Sequence, residues 1–163
     1  MNISPLEEYA LRCAVQLARL DNETHLSASK IAETEGISVE YASKIMFLFR
    51  QAGLVQSVRG LRGGFKLSRP AAEITLKSIF DALPVAKRID SDFCEQYGGQ
   101  KPECVHLGCC SIRPFWTMLS SFFDEVSGAV NLEDLVDPEA KVQRRLHHLT
   151  HSTVAAFKQG RVQ

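Results

Sequence analysis

The stretch ISVEYASKIMFLFRQAGLV, residues 37–55, constrains this chain more than any other. Ser38 suits the N-cap of a helix whose apolar positions Tyr41, Ile45, Leu48 and Phe49 recur at helical spacing, and Gly53 ends the run. Just upstream, a shorter helix is expected with Ser27 or Ser29 as its N-cap, Ile31 and Ala32 facing inward, and Gly36 as its stop. The connection Glu35-Gly36-Ile37-Ser38 is short enough to force a sharp turn, so the two helices form a helix-turn-helix.

The next residues fit that motif. LVQSVRG and GGFKLSR alternate apolar and polar residues as short strands do, with Leu54, Val58, Phe65 and Leu67 on the apolar side. The connector Arg59-Gly60-Leu61-Arg62-Gly63-Gly64 is rich in residues that tolerate positive φ, which allows a tight hairpin. Two strands directly after a helix-turn-helix make a wing. Ahead of the motif, the first twenty residues read as an amphipathic helix, with Pro5 in its first turn. Ile74 to Leu83 reads as another helix with Thr75 near its start. From Ser111, the positions Phe115, Met118, Leu119, Phe122, Phe123 and Val126 give a long apolar helix face, and a short helix spans Leu132 to Val136. A polar tail closes the chain. The fold class expected is mainly α with a small β wing.

Net charge is zero over 163 residues, which excludes a uniformly basic nucleic-acid binder, but the charge is unevenly placed. Between Ser38 and Arg69 the cations are Lys44, Arg50, Arg59, Arg62, Lys66 and Arg69, and the only acid is Glu40, a local charge of +5. Phosphates supply most of the affinity for nucleic acid and require cations on one surface. A helix in the major groove presents its N-terminal residues to base edges, here Ser38, Glu40, Tyr41 and Lys44. Arg59 and Arg62 flank a glycine-rich wing tip thin enough to enter a minor groove. Double-stranded DNA is the expected partner. No nucleophile–base pair or phosphate-binding loop appears, and RGLRGG follows a helix-turn-helix instead of opening a βαβ unit, so no enzyme and no small-molecule substrate are expected. With no long apolar run and no basic-then-apolar leader in MNISPLEEYALRCAV, no membrane role is expected and the cytoplasm is the expected compartment.

Four of the five cysteines, Cys94, Cys104, Cys109 and Cys110, crowd into CEQYGGQKPECVHLGCC. In a reducing compartment, clustered thiols bind metal or do redox work more often than they form structural disulfides. Thiolates ligate iron–sulfur clusters, and His106 with Cys94, Cys104 and either Cys110 or Cys109 would complete a tetrahedral zinc set; spacing does not separate the two. Oxidation of Cys109 and Cys110 without any metal is a third reading. Cys13 falls on the apolar face of the first helix and reads as a small core residue, and His147, His148 and His151 read as solvated tail.

The segments EYALRCAVQLA, ISVEYASKI, LFRQAGLVQSVRGLRGGFKLSRP and ITLKSIFDAL, followed by the cysteine loop, resemble winged-helix transcription regulators of the IscR, NsrR and RirA kind over residues 1 to 136. The resemblance implies a winged domain at 1–83, a cluster-binding loop at 84–110 and a dimerisation helix region at 111–136, and the polar tail at 137–163 lies outside it. It further implies a homodimer on a palindromic operator, acting as a repressor whose affinity follows an iron–sulfur cluster that senses iron, nitric oxide or redox state. Three loop cysteines would be ligands. Cys104 and Cys110 match in spacing, and Cys94 is the third, across a longer gap than the family usually has. Cys109 is a spare thiol, an alternative ligand or a buried neighbour. Arg113 occupies the place of the histidine ligand some members carry, whereas Glu8 sits where others supply an acidic ligand from the partner subunit.

Overall fold

A computed structural model describes residues 3–21, 24–60, 63–84 and 99–158. Helix α1 (Pro5–Ala18) begins with a reciprocal cap: the Glu7 amide donates to Ser4 Oγ at 3.2 Å, and the Ser4 amide donates to Glu7 Oε2 at 2.8 Å. That role explains a buried glutamate at position 7. Ala10, Cys13, Ala14 and Leu17 then form the buried stripe of α1. Helix α2 (Ala28–Glu35) is capped by Ser27, so Ser29 is not its cap, and it ends at Gly36 with φ 68°, a conformation that costs a β-carbon-bearing residue free energy. Helix α3 (Val39–Gln51) starts two residues later with the Ser38 hydroxyl accepting from the Tyr41 amide at 3.1 Å. Ala42, Ile45, Met46 and Phe49 of α3 meet Ile31 and Ala32 of α2 and the stripe of α1 in one core. The helix-turn-helix thus forms where its caps and apolar spacing place it.

Strands β1 (Val55–Val58) and β2 (Gly64–Leu67) pair antiparallel, with Val55 opposite Leu67 and Val58 opposite Gly64. The base of this wing is bound to the body. Leu26 and Phe65 exchange both backbone hydrogen bonds, at 3.0 and 2.8 Å, so the segment before α2 borders β2. Gly64 permits this approach, since a β-carbon there would stand 2.4 Å from the Leu26 carbonyl oxygen. After the wing, Ala71–Glu73 makes a single 3-10 turn, and helix α4 (Leu76–Asp81) is capped by Thr75.

Helix α5 (Arg113–Ala129) runs back toward the winged domain and is fastened to it at its C-terminal end. The Leu76 amide donates to the Val130 carbonyl and the Leu132 amide to the Ile74 carbonyl, each at 2.9 Å. Leu132 becomes a fully buried member of the winged-domain core. Leu132–Leu135 is a 3-10 turn, capped by Asn131 and not an α-helix. The polar segment beyond it, which reads from sequence only as a tail, folds into helix α6 (Glu139–Lys158) against α5 and the 3-10 turn. Its first turns are held by Lys141 on Asp137 at 2.9 Å and Arg145 on Asp137 at 3.1 Å, while Val142, Leu146 and Leu149 make a half-buried stripe. No helix among the described residues is long and apolar enough to cross a membrane.

Candidate nucleic-acid interface and cysteine loop

One side of α3 faces the core and the other is open. Val39, Glu40, Ser43, Lys44, Phe47 and Arg50 are exposed, in steps of three and four that keep them on one face. Glu40 and Lys44, four residues apart in the order that usually favours pairing, make no ion pair with each other or with any described residue. Both therefore point charge at solvent. Ser38 stands exposed at the start of the helix while its oxygen caps α3. Tyr41 is half-buried, its ring edge-on to Tyr9 of α1 at 5.9 Å. Sequence reasoning picks Ser38, Glu40, Tyr41 and Lys44 but misses Val39, Ser43 and Phe47 on the same face. Their spacing from Glu40 is the signal that could have found them.

Arg59, just past β1, is exposed and makes no ion pair with any described residue, whereas Arg62 lies outside the described residues. Not every cation of the basic region is open: Arg69 Nε donates to the Glu73 carbonyl at 3.3 Å and so serves the 3-10 turn. The helix-turn-helix is braced from behind. The Glu35 carboxylate at the end of α2, only 9% exposed, accepts from Arg12 Nε at 2.6 Å and from the Gln16 amide of α1. The Arg12 guanidinium also lies over the Tyr9 ring, 5.3 Å from its centroid. A carboxylate shared by a guanidinium and an amide holds α1 and α2 in one orientation, which sets the angle at which α3 is presented.

The cysteine loop leads into α5 through turns at Cys104–Leu107 and His106–Cys109, closed by backbone bonds of 3.0 Å, with Gly108 at φ 88°. Cys104 and Cys110 are half-buried, Cys109 is exposed, and all three are free thiols. His106, Val105 and Leu107 are exposed as well. Glu8 is exposed on the first turn of α1, and Cys94 lies outside the described residues. Among the described residues, no three metal-ligating side chains stand together, so Glu8, Cys104 and Cys110 are not gathered within one protomer. Cys13 is apart from all of this, fully buried in the core, and burial first and the Glu35 charge second push its thiol up to about 12. His147 and His148 are exposed on α6; the side chain of His151 lies outside the described residues.

Helix α5 is covered toward its C-terminal end and open toward its N-terminal end. Phe123 packs on Phe80 at 5.5 Å and Asp124 pairs with Lys77 at 3.0 Å, fixing one face to α4. The Asp124 hydrogen bond is the chief reason the Lys77 ammonium is held above its usual range. Nearer the start of the helix, Phe115, Met118 and Leu119 are 53%, 46% and 44% exposed.

A family model described as Rrf2, iron-dependent transcriptional regulator, matches residues 3–138. The chain belongs to the Rrf2 family. Within it, the chain is 28% identical over 146 residues to the HTH-type transcriptional regulator NsrR of Geobacillus kaustophilus, covering 90% of this chain and 97% of that one. The solved structure of T. potens IscR superposes with a TM-score of 0.65 at 25% identity, covering 83% of this chain and 86% of that one. Staphylococcus aureus CymR, in a structure titled as its oxidized form, gives 0.65 at 25% identity, over 85% and 98% of the two chains. The mainly helical fold with one two-stranded wing is thus that of the winged-helix Rrf2 regulators. As a member of this family the chain is a transcriptional regulator, a class that binds DNA, and not an enzyme.

Proposed function

We propose that this Rrf2 protein is a cytoplasmic repressor whose operator affinity follows an iron–sulfur cluster, which responds to nitric oxide, iron or redox state. The observation that carries this reading is the pair of half-buried free thiols, Cys104 and Cys110, which bracket the exposed residues 105–109 just before α5. Their chemistry fits the group: thiolates are the usual ligands of such clusters, and an open loop lets small molecules reach one. Cys94, Cys104 and Cys110 would be the ligands of one protomer, with Glu8 of the other completing the set. Bound there, the cluster would supply a redox-active iron–sulfur centre.

The remaining roles fall to residues of the chain. The exposed Phe115, Met118 and Leu119 of α5 are where a second copy would join, burying apolar surface that water now covers. Two copies related by a two-fold axis carry two α3 helices at a set spacing, which suits a palindromic operator. Ser38, Glu40, Tyr41 and Lys44 would meet base edges, while Arg59 and Arg62 would enter the flanking minor groove. An oxygen ligand from the partner's α1 would connect the loop to the helix that carries Tyr9, Arg12 and Gln16, and so to the seat of α3.

The test is an absorption spectrum of protein purified without oxygen, with iron, acid-labile sulfide and zinc counted per chain. A brown protein holding iron and sulfide, whose colour and DNA affinity both change in Glu8→Ala, is the expected result. A second reading, a zinc-held or thiol-based switch, draws on the exposed Cys109 beside Cys110, on His106 in the same loop, and on the likeness to CymR. A colourless protein with one zinc per chain, or one whose DNA affinity follows Cys109 and Cys110 oxidation without metal, would replace the cluster by that reading. In either case an Arg59→Ala/Arg62→Ala protein is expected to bind DNA more weakly in gel shift.

A further inference from the structure

Phe47 is a large apolar side chain left 47% exposed on the open face of α3, one turn beyond Ser43 and Lys44. Its ring has a companion: the Arg50 guanidinium carbon lies 5.6 Å from the ring centroid. Arg50 is exposed and makes no ion pair with any described residue. The contrast with Arg12 is informative. Arg12 also lies over an aromatic ring, but its Nε is held by the Glu35 carboxylate, so it ties two helices together inside the molecule. Arg50 has the ring without the acid. Stacking engages only the face of a guanidinium, and the N–H groups on its edge remain free for an anion.

Position along the helix identifies that anion. Glu40 to Phe47, over whose ring the Arg50 guanidinium lies, is seven residues, roughly 10 Å at 1.5 Å per residue. If the first turns of α3 meet base edges, a cation that much further along reaches the sugar–phosphate backbone beside the half-site. We infer that Phe47 is a positioning residue that holds Arg50 toward a DNA phosphate flanking the bases read by α3. The inference rests on the reading of α3 as the recognition helix. It adds to the base-reading and wing residues a contact that carries affinity but no sequence information. Lysine in place of Arg50 would lack the planar face that the ring supports, and an aliphatic residue at 47 would leave the arginine free to sample other rotamers.

The experiment uses the full chain and an arbitrary-sequence DNA duplex, because a phosphate contact is independent of sequence. Binding is followed by fluorescence anisotropy over a series of salt concentrations for wild type, Arg50→Ala, Phe47→Leu, Phe47→Tyr and the Phe47→Leu/Arg50→Ala double variant. Arg50→Ala is expected to reduce the slope of log affinity against log salt by about one for each phosphate that the arginine neutralises. Phe47→Leu is expected to weaken binding about two- to five-fold, the size of an exposed cation–π interaction, and to lower the slope in the same direction. Phe47→Tyr restores both, and in the Arg50→Ala background Phe47→Leu adds nothing.

Three outcomes overturn the inference. Wild-type slope and affinity in Phe47→Leu would mean the ring does not position the cation. An equal loss in the Arg50→Ala background would mean the ring touches DNA by itself. A change of oligomeric state in Phe47→Leu, measured by light scattering, would make the ring a contact between copies. If the wild-type protein itself binds no duplex in a salt-dependent way, it is the recognition-helix reading that fails, and this inference falls with it.

Discussion

Tyr9 and Tyr41 meet edge to face, their ring centroids 5.9 Å apart and their planes at 82°. The contact joins α1 to the first turn of α3, and Arg12 backs the Tyr9 ring from its own helix. Edge-to-face pairs contribute about 0.5–1.5 kcal/mol beyond the area they bury. Tyr9→Leu keeps most of the apolar bulk and removes both the edge contact and the cation over the ring. The expected loss is about 1–2 kcal/mol of unfolding free energy, read from urea midpoints. Phe in place of Tyr9 is expected to retain most of it, since the ring and not the hydroxyl makes the contact.

Gly64 and Gly128 should respond to alanine with opposite signs. At Gly64 a β-carbon would meet backbone atoms of Leu26 and Ser27 at 2.4–2.9 Å, and backbone cannot step aside as a side chain can. Gly64→Ala is expected to open the Leu26–Phe65 bridge and cost about 1–3 kcal/mol. Gly128, within α5, has nothing within 4 Å of its would-be β-carbon. Gly128→Ala is expected to stabilise by about 0.5–1 kcal/mol through helix propensity. Thermal midpoints of the two variants against wild type check both signs.

Glu40 is a carboxylate with no ion-pair partner among the described residues, on the face of α3 that otherwise carries Lys44 and Arg50. In the base-edge position proposed for it, its charge would still lie within the repulsive field of the phosphates. Glu40→Gln is therefore expected to tighten binding to arbitrary-sequence DNA by about two- to five-fold at low salt, and the gain should shrink as salt screens it. Binding isotherms at low and high salt are the measurement. Weaker binding to arbitrary DNA in Glu40→Gln would mean the carboxylate does not lie in the repulsive field of the phosphates.

Cys13 separates from the loop cysteines in both reactivity and pH response. Its thiol is buried and pushed up to about 12, so folding favours its neutral form. The folded value lies above the ordinary 9.0, so this contribution to stability is complete below 9.0 and is lost as pH rises toward about 12. Urea midpoints should fall on the alkaline side, and less so in Cys13→Ala. Native protein treated with a maleimide at mildly alkaline pH should label Cys104, Cys109 and Cys110 and spare Cys13, as peptide mass mapping would show.

The parts of this fold that were legible in the sequence are those settled over a few residues. Ser38 and Thr75 as caps, Pro5 in the first turn, Gly36 as a left-handed stop and the alternation at 54–58 and 64–67 act through local backbone geometry and periodicity, and each appears where the pattern places it. The burial of Cys13 comes from the same helical spacing. Tertiary structure decided what depends on distant partners. The return of Val130 and Leu132 to pair with Leu76 and Ile74 leaves no mark on either segment, because backbone hydrogen bonds are blind to side-chain identity. Helix α6 reads as a polar tail because its helicity leans on Asp137, Lys141 and Arg145 and on a stripe that is half-buried only once α5 is present. That Arg50 rests on Phe47 whereas Arg12 is held by Glu35 was likewise set by packing, since a charged residue's spacing gives its face but not its partner.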